Sequence, residues 1–157
     1  MCQSCHKKTD PLIGAWNSSF TDETGTINSV SVYNEGGTFS GQSDVDIGVP
    51  TSLLLAPPGF RLTISTGKWE KVGCRKYRSV DSNVLVRQGA ASDGLPGTPL
   101  LRIKKTSEFT LSKVNGCYQR DGTVIFSQHL LTDLKCKTPI APPSAPTPFH
   151  GEKLDFL

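Results

Sequence analysis

From Gly14 onward the chain alternates short apolar-rich runs with clusters of Gly, Asn, Asp, Ser and Pro, and nowhere does it sustain apolar positions at a 3.6-residue period. The runs Gly14–Phe20, Thr26–Tyr33, Thr38–Gly41, Phe60–Ser65 and Gly67–Val72 each predict a strand, as do Lys76–Val80, Val84–Gln88, Leu100–Lys105, Phe109–Val114 and Thr123–His129. In Thr26–Tyr33 the alternation is imperfect: Ile27 and Tyr33 share one face, Val30 and Val32 the other. Asn34-Glu35-Gly36-Gly37 and Asn115-Gly116 predict tight hairpin turns, because glycine supplies the positive φ such turns need. Thr106-Ser107-Glu108 and Arg120-Asp121-Gly122 read as turns as well.

Eight to ten short strands with turn signals between them predict an all-β fold, an antiparallel sheet closed into a barrel or a sandwich. Two segments interrupt the pattern. Residues 45–59 and 89–99 are rich in Gly and Pro and read as irregular loops, the first carrying Leu53-Leu54-Leu55, and the apolar stretch 49–60 is placed to cover a barrel mouth. The organisation expected is an irregular, mobile extension over 1–10, a barrel over 11–138, and a Pro-rich C-terminal arm over 139–157. The arm favours extended polyproline conformation and ends in Phe149, Leu154, Phe156 and Leu157, side chains suited to a neighbour's grooves.

Length and charge exclude several classes. At 157 residues the chain fits one domain, and its net charge of +3 comes from Lys and Arg scattered among Asp and Glu, with no basic track for nucleic acid. No apolar stretch is long enough to span a bilayer as a helix. The N-terminus lacks the apolar run of a signal peptide, so a cytoplasmic protein with reduced thiols is expected. Secretion is the alternative if a leader has been removed ahead of Met1, and a bridge among Cys74, Cys117 and Cys136 then becomes feasible.

The candidate chemistry is sparse. Cys2-Gln3-Ser4-Cys5-His6 spells the haem-attachment pattern C-x-x-C-H, but Met1 is the only methionine, and the other histidines, His129 and His150, lie far along the chain. Cys2, Cys5 and His6 would make three ligands of a zinc site that still lacks its fourth. His129 with Asp133 four residues on suggests a His–Asp pair, with Cys117 or Cys136 as nucleophile; a solvent-facing histidine at the barrel rim is the reading preferred. Asp44 and Asp46 share a strand face, but no calcium loop follows. No cofactor and no catalytic residue are assigned.

Pro11-Leu12-Ile13-Gly14-Ala15-Trp16, Asn34-Glu35-Gly36-Gly37-Thr38-Phe39 and Thr66-Gly67-Lys68-Trp69-Glu70 with Tyr77 together resemble the lipocalin-like proteins of the calycin superfamily, most of all small bacterial-type barrels. The similarity runs over about residues 11 to 130, with avidins as more distant cousins. Gly36 stands where that family more often has aspartate, and the avidin biotin site has no counterpart here. The resemblance implies an up-and-down barrel in which Gly14 and Trp16 plug one end and an arginine, Arg102 or Arg120, lies over the tryptophan. The function it implies is non-enzymatic binding of a small, mainly apolar molecule, by a site drawn from Trp69, Tyr77, Phe39, Tyr33, Leu54 and Phe60. Two other expectations stand beside it: an assembly protein whose solid barrel forms a homo-oligomer through the arm, and an isomerase or cyclase acting in the lumen. The last requires a buried titratable group there.

Overall fold

The computed structural model describes residues 9–22, 25–44, 59–87 and 97–154. Among the described residues nine strands form one antiparallel sheet: β1 (Gly14–Asp22), β2 (Gly25–Tyr33), β3 (Thr38–Ser43), β4 (Phe60–Leu62), β5 (Ser65–Gly73), β6 (Lys76–Arg87), β7 (Pro99–Val114), β8 (Cys117–His129) and β9 (Thr147–Lys153). The order is β4-β6-β5-β3-β2-β1-β9-β8-β7, and β6 also pairs with β7, so the sheet closes on itself. β4 and β5 both lie along β6 and are separated only at Thr63 and Ile64. Thr63 bridges the gap, its N–H donating to Val84 O at 2.9 Å while its Oγ1 accepts from Val84 N–H at 3.0 Å. The result is an eight-stave up-and-down barrel, one of the two all-β arrangements the strand pattern predicts and the one the resemblance implies.

Inward positions fall into three layers. One end holds Leu12, Trp16, Tyr33, Phe39, Tyr77, Phe109 and Leu111. The other holds Ile27, Leu62, Leu85, Ile103, Val124 and Phe126, with Phe20 and Phe60 packed against them. Between them the buried residues are polar: Ser18, Ser31, Ser65, Ser79, Asp81, Asn83 and Arg120. In β2 this explains the broken alternation, because Ile27, Ser31 and Tyr33 are buried whereas Val30 and Val32 face solvent.

Several sequence expectations are corrected by these layers. Thr106-Ser107-Glu108 is no hairpin but the middle of the sixteen-residue β7, with Ser107 in the lumen and Glu108 outside on Arg78. The predicted runs Lys76–Val80 and Val84–Gln88 merge, as far as Arg87, into one strand, β6, whose intervening Asp81 and Asn83 are buried; Gln88 lies outside the described residues. Arg120-Asp121-Gly122 lies inside β8, where Gly122 lets the backbones of β7 and β8 approach; a Cβ there would strike Glu108 O. Asn115-Gly116 does form the β7–β8 turn, with φ of 50° and 89°.

The C-terminal arm is the largest correction. Thr147–Lys153 is a barrel stave, pairing with β8 through Thr147–Glu152 and with β1 through His150–Lys153. Pro148 is tolerated because it lies at the strand's start and its partner is Thr123 of β8, outside the span paired with β1. The Pro-rich stretch before it also follows β8, since Ile140 N–H donates to Gln128 O and Ser144 N–H to Phe126 O, each at 2.9 Å. Phe149 packs against both core clusters and Leu154 N–H donates to Ala15 O, so the segment completes its own barrel rather than reaching for a neighbour. Phe156 and Leu157 lie outside the described residues.

The boundary at residue 10 moves as well. Asp10 Oδ1 accepts from Leu12 N–H at 3.0 Å and from the Tyr77 hydroxyl at 2.7 Å, and Lys71 Nζ donates to Oδ2 at 3.3 Å, tying the segment ahead of β1 to the barrel end. Burial pushes the Asp10 carboxyl upward, but these three donors outweigh it and leave it below the ordinary carboxylate range. Burial and the neighbouring carboxylate push the Tyr77 phenol well above its ordinary value.

Candidate ligand-binding site in the barrel lumen

Trp16 is wholly buried, and its indole N–H donates to Leu12 O at 2.7 Å, so the plug is satisfied from its own strand's lead-in. Gly14 is needed for its backbone angle: at φ +124° a side chain would be strained, whereas the nearest atom to an added Cβ is only the flexible end of Lys153. No neighbouring backbone crowds this position.

Of the two candidate arginines it is Arg120 that lies over this tryptophan. Its guanidinium carbon stands 5.2 Å from the Trp16 ring centre, 5.1 Å from Tyr33, 5.4 Å from Phe109 and 5.6 Å from Phe149. Arg120 is 4% exposed. Its Nε–H and Nη2–H donate to Ser18 Oγ at 3.1 and 2.6 Å, Nη2 to Ser31 Oγ at 2.9 Å, and Nη1 to the Tyr33 hydroxyl at 2.7 Å. Room for it comes from Gly151, where a Cβ would collide with Ser18 Oγ and Arg120 itself.

Across the polar layer Asp81 pairs with Lys105, Nζ to Oδ2 at 2.9 Å. The ammonium stands off the line of a hydrogen bond, so that oxygen has a countercharge but no aligned donor; Lys105 donates instead to Ser65 Oγ at 3.1 Å. These side chains line a cavity of about 90 Å³, in which Ser79, Ser107 and Arg120 are among the polar lining residues and Phe20, Tyr33, Phe39, Phe126 and Phe149 among the aromatic ones. The cavity has room for more than one water and less than a drug-sized molecule.

Of the six ligand residues read from sequence, Tyr33 and Phe39 line this cavity, their rings stacked at 4.9 Å. Trp69 and Tyr77 do not. They belong to the plug with Trp16, the Trp69 indole N–H donating to Asn34 O and Thr38 O above the β2–β3 turn. Phe60 packs in the opposite apolar layer, and Leu54 lies outside the described residues. Sequence reasoning missed Ser18, Ser31, Asp81 and Lys105; the available signal was the polar side chain recurring on the inner face of four strands. Asp81 and Lys105 are titratable groups in the lumen of the kind a lumen isomerase needs, although each occupies the other.

His129 is not a solvent-facing rim residue; it is 1% exposed. Its Nδ1 meets Asp133 Oδ2 at 3.1 Å and its Nε2 meets Ser127 Oγ at 2.9 Å. Backbone N–H groups of Thr138 and Lys137 hold the Asp133 carboxyl below its ordinary value. None of these residues lines the cavity, and the contacts pin residues 130–138 against the barrel wall. Cys136 is buried, which raises its thiol pKa and keeps it protonated; Cys117 stands at the opposite end of β8. All three described cysteines are free thiols.

Among the described residues no cluster of His, Cys, Asp or Glu could hold a metal ion; Cys2, Cys5 and His6 lie outside them. Asp44 accepts from Asn28 N–H and side-chain amide, and its expected partner Asp46 is likewise outside. No described helix is long and apolar enough to cross a membrane. Comparison with protein-family models, curated proteins and solved structures returns no match.

Proposed function

We propose that this protein is a lipocalin-like binding barrel whose lumen takes a small molecule with an apolar body and one polar group. The observation that carries the reading is the cavity itself: the staves surround free space lined by aromatic rings together with hydroxyls and charged groups. A fold serving only as a scaffold would gain from filling that layer with apolar side chains, because buried polar groups lose hydration. Its volume of about 90 Å³ suits a ligand of a handful of non-hydrogen atoms, since an apolar cavity of about 150 Å³ accepts benzene. The sequence resemblance and the stacking of Arg120 on Trp16 add support for a lipocalin-like barrel.

Titration with 1-butanol, followed by amide resonances, tests the reading. Saturable shifts confined to Ser31, Ser79, Ser107 and their neighbours are expected, and a Ser79→Leu variant, which fills the cavity, should lose them. Shifts that never saturate, or that persist unchanged in Ser79→Leu, would overturn it. Lumen isomerisation is the second reading, favoured by the buried Asp81; it predicts that Asp81→Asn retains binding and loses turnover.

A further inference from the structure

The lumen contains an imbalance of charge. Asp81 is matched by Lys105, but Arg120 has only hydroxyl oxygens around it, and among the described residues no carboxylate pairs with it. A guanidinium that is 4% exposed has lost most of its hydration, and neutral acceptors restore only part of it. Three of those acceptors also remain potential donors. Ser18, Ser31 and Tyr33 each accept from Arg120, and among the described residues their own hydroxyl protons have no acceptor. One N–H of Nη1 is likewise without an acceptor among them. All four residues line the cavity.

We propose that the polar group of the lumen ligand is a carboxylate, held by Arg120 and by the hydroxyls of Ser18, Ser31 and Tyr33. The inference rests on the lumen-binding reading and gives it a ligand class: a short aliphatic acid. The guanidinium orients and polarises the three hydroxyls, whose protons then point at an incoming anion, and the anion supplies the missing countercharge. Four aromatic rings packed near the guanidinium fix it in place, so little ordering remains to be done on binding. The apolar body lies against Phe20 and Phe126.

Butyrate and 1-butanol, nearly equal in size, separate the alternatives at matched ionic strength. Butyrate should bind at least tenfold more tightly and move the Arg120 Nε–H resonance. Tyr33→Phe, which keeps the ring stacked on Phe39 and removes one donor, should weaken butyrate about tenfold and leave 1-butanol within twofold. Arg120→Gln, which removes the positive charge, should abolish the preference; if that variant does not fold, Tyr33→Phe alone decides. Equal affinities, or an equal loss for both probes in Tyr33→Phe, overturn the carboxylate assignment. Binding of 1-butanol without butyrate overturns it too while leaving the lumen reading standing, and binding of neither overturns both.

Discussion

Lys105 and Asp81 are the side chains whose loss should be felt most unequally. Asp81 is 6% exposed and Lys105 side chain 20%, so Lys105→Met strands a buried carboxylate and should cost about 3–5 kcal/mol. Adding Asp81→Leu should recover most of that, because replacing both partners with apolar groups removes the unpaired charge; urea unfolding of the two single variants and the double variant measures it. Asp10 acts through pH. Its folded carboxyl titrates below the unfolded one, so its contribution is complete above the unfolded value of about 3.9 and is lost as pH falls through the lowered folded value. Urea midpoints should therefore drop between pH 5 and pH 3 in the parent chain and drop less in Asp10→Asn.

Among the elements, β9 is the one whose removal should be decisive. A chain ending at Pro146 loses the stave between β1 and β8 and exposes two unpaired edges. It should lose its cooperative thermal transition, read by circular dichroism, whereas a free arm could be deleted without effect. Strands with apolar inner faces were legible in the sequence: the predicted bounds of β2 and β3 lie close to the observed ones, and Ile27 and Tyr33 share the buried face. The polar layer was not. Asp81, Ser107 and Arg120 each sit where a predicted strand was broken, because a polar side chain flanked by solvent-facing neighbours has the same local pattern whether it occupies a turn or a lumen. β9 was concealed by Pro148 and the prolines ahead of it; the cost of Pro148 vanishes because only one side of the strand is paired there. The cavity was illegible for a related reason, since Ser18, Ser31, Ser65 and Ser79 converge only once β1, β2, β5 and β6 curl together.

At the scale of the whole molecule, closure couples every stave to two neighbours, so the barrel should unfold as one unit. Trp16 and Trp69 both report on the plugged end, while circular dichroism reports on the entire sheet. The two signals should give coincident urea transitions; an earlier fluorescence change would mean that the plug releases first. The seam between β1 and β9 also constrains biogenesis. Trp16 pairs with Lys153, and at about 5–20 residues per second a ribosome needs on the order of ten seconds between delivering the two. Until then the nascent sheet keeps an unsealed flank, so vectorial synthesis leaves this chain dependent on late closure and on whatever shields β1 meanwhile.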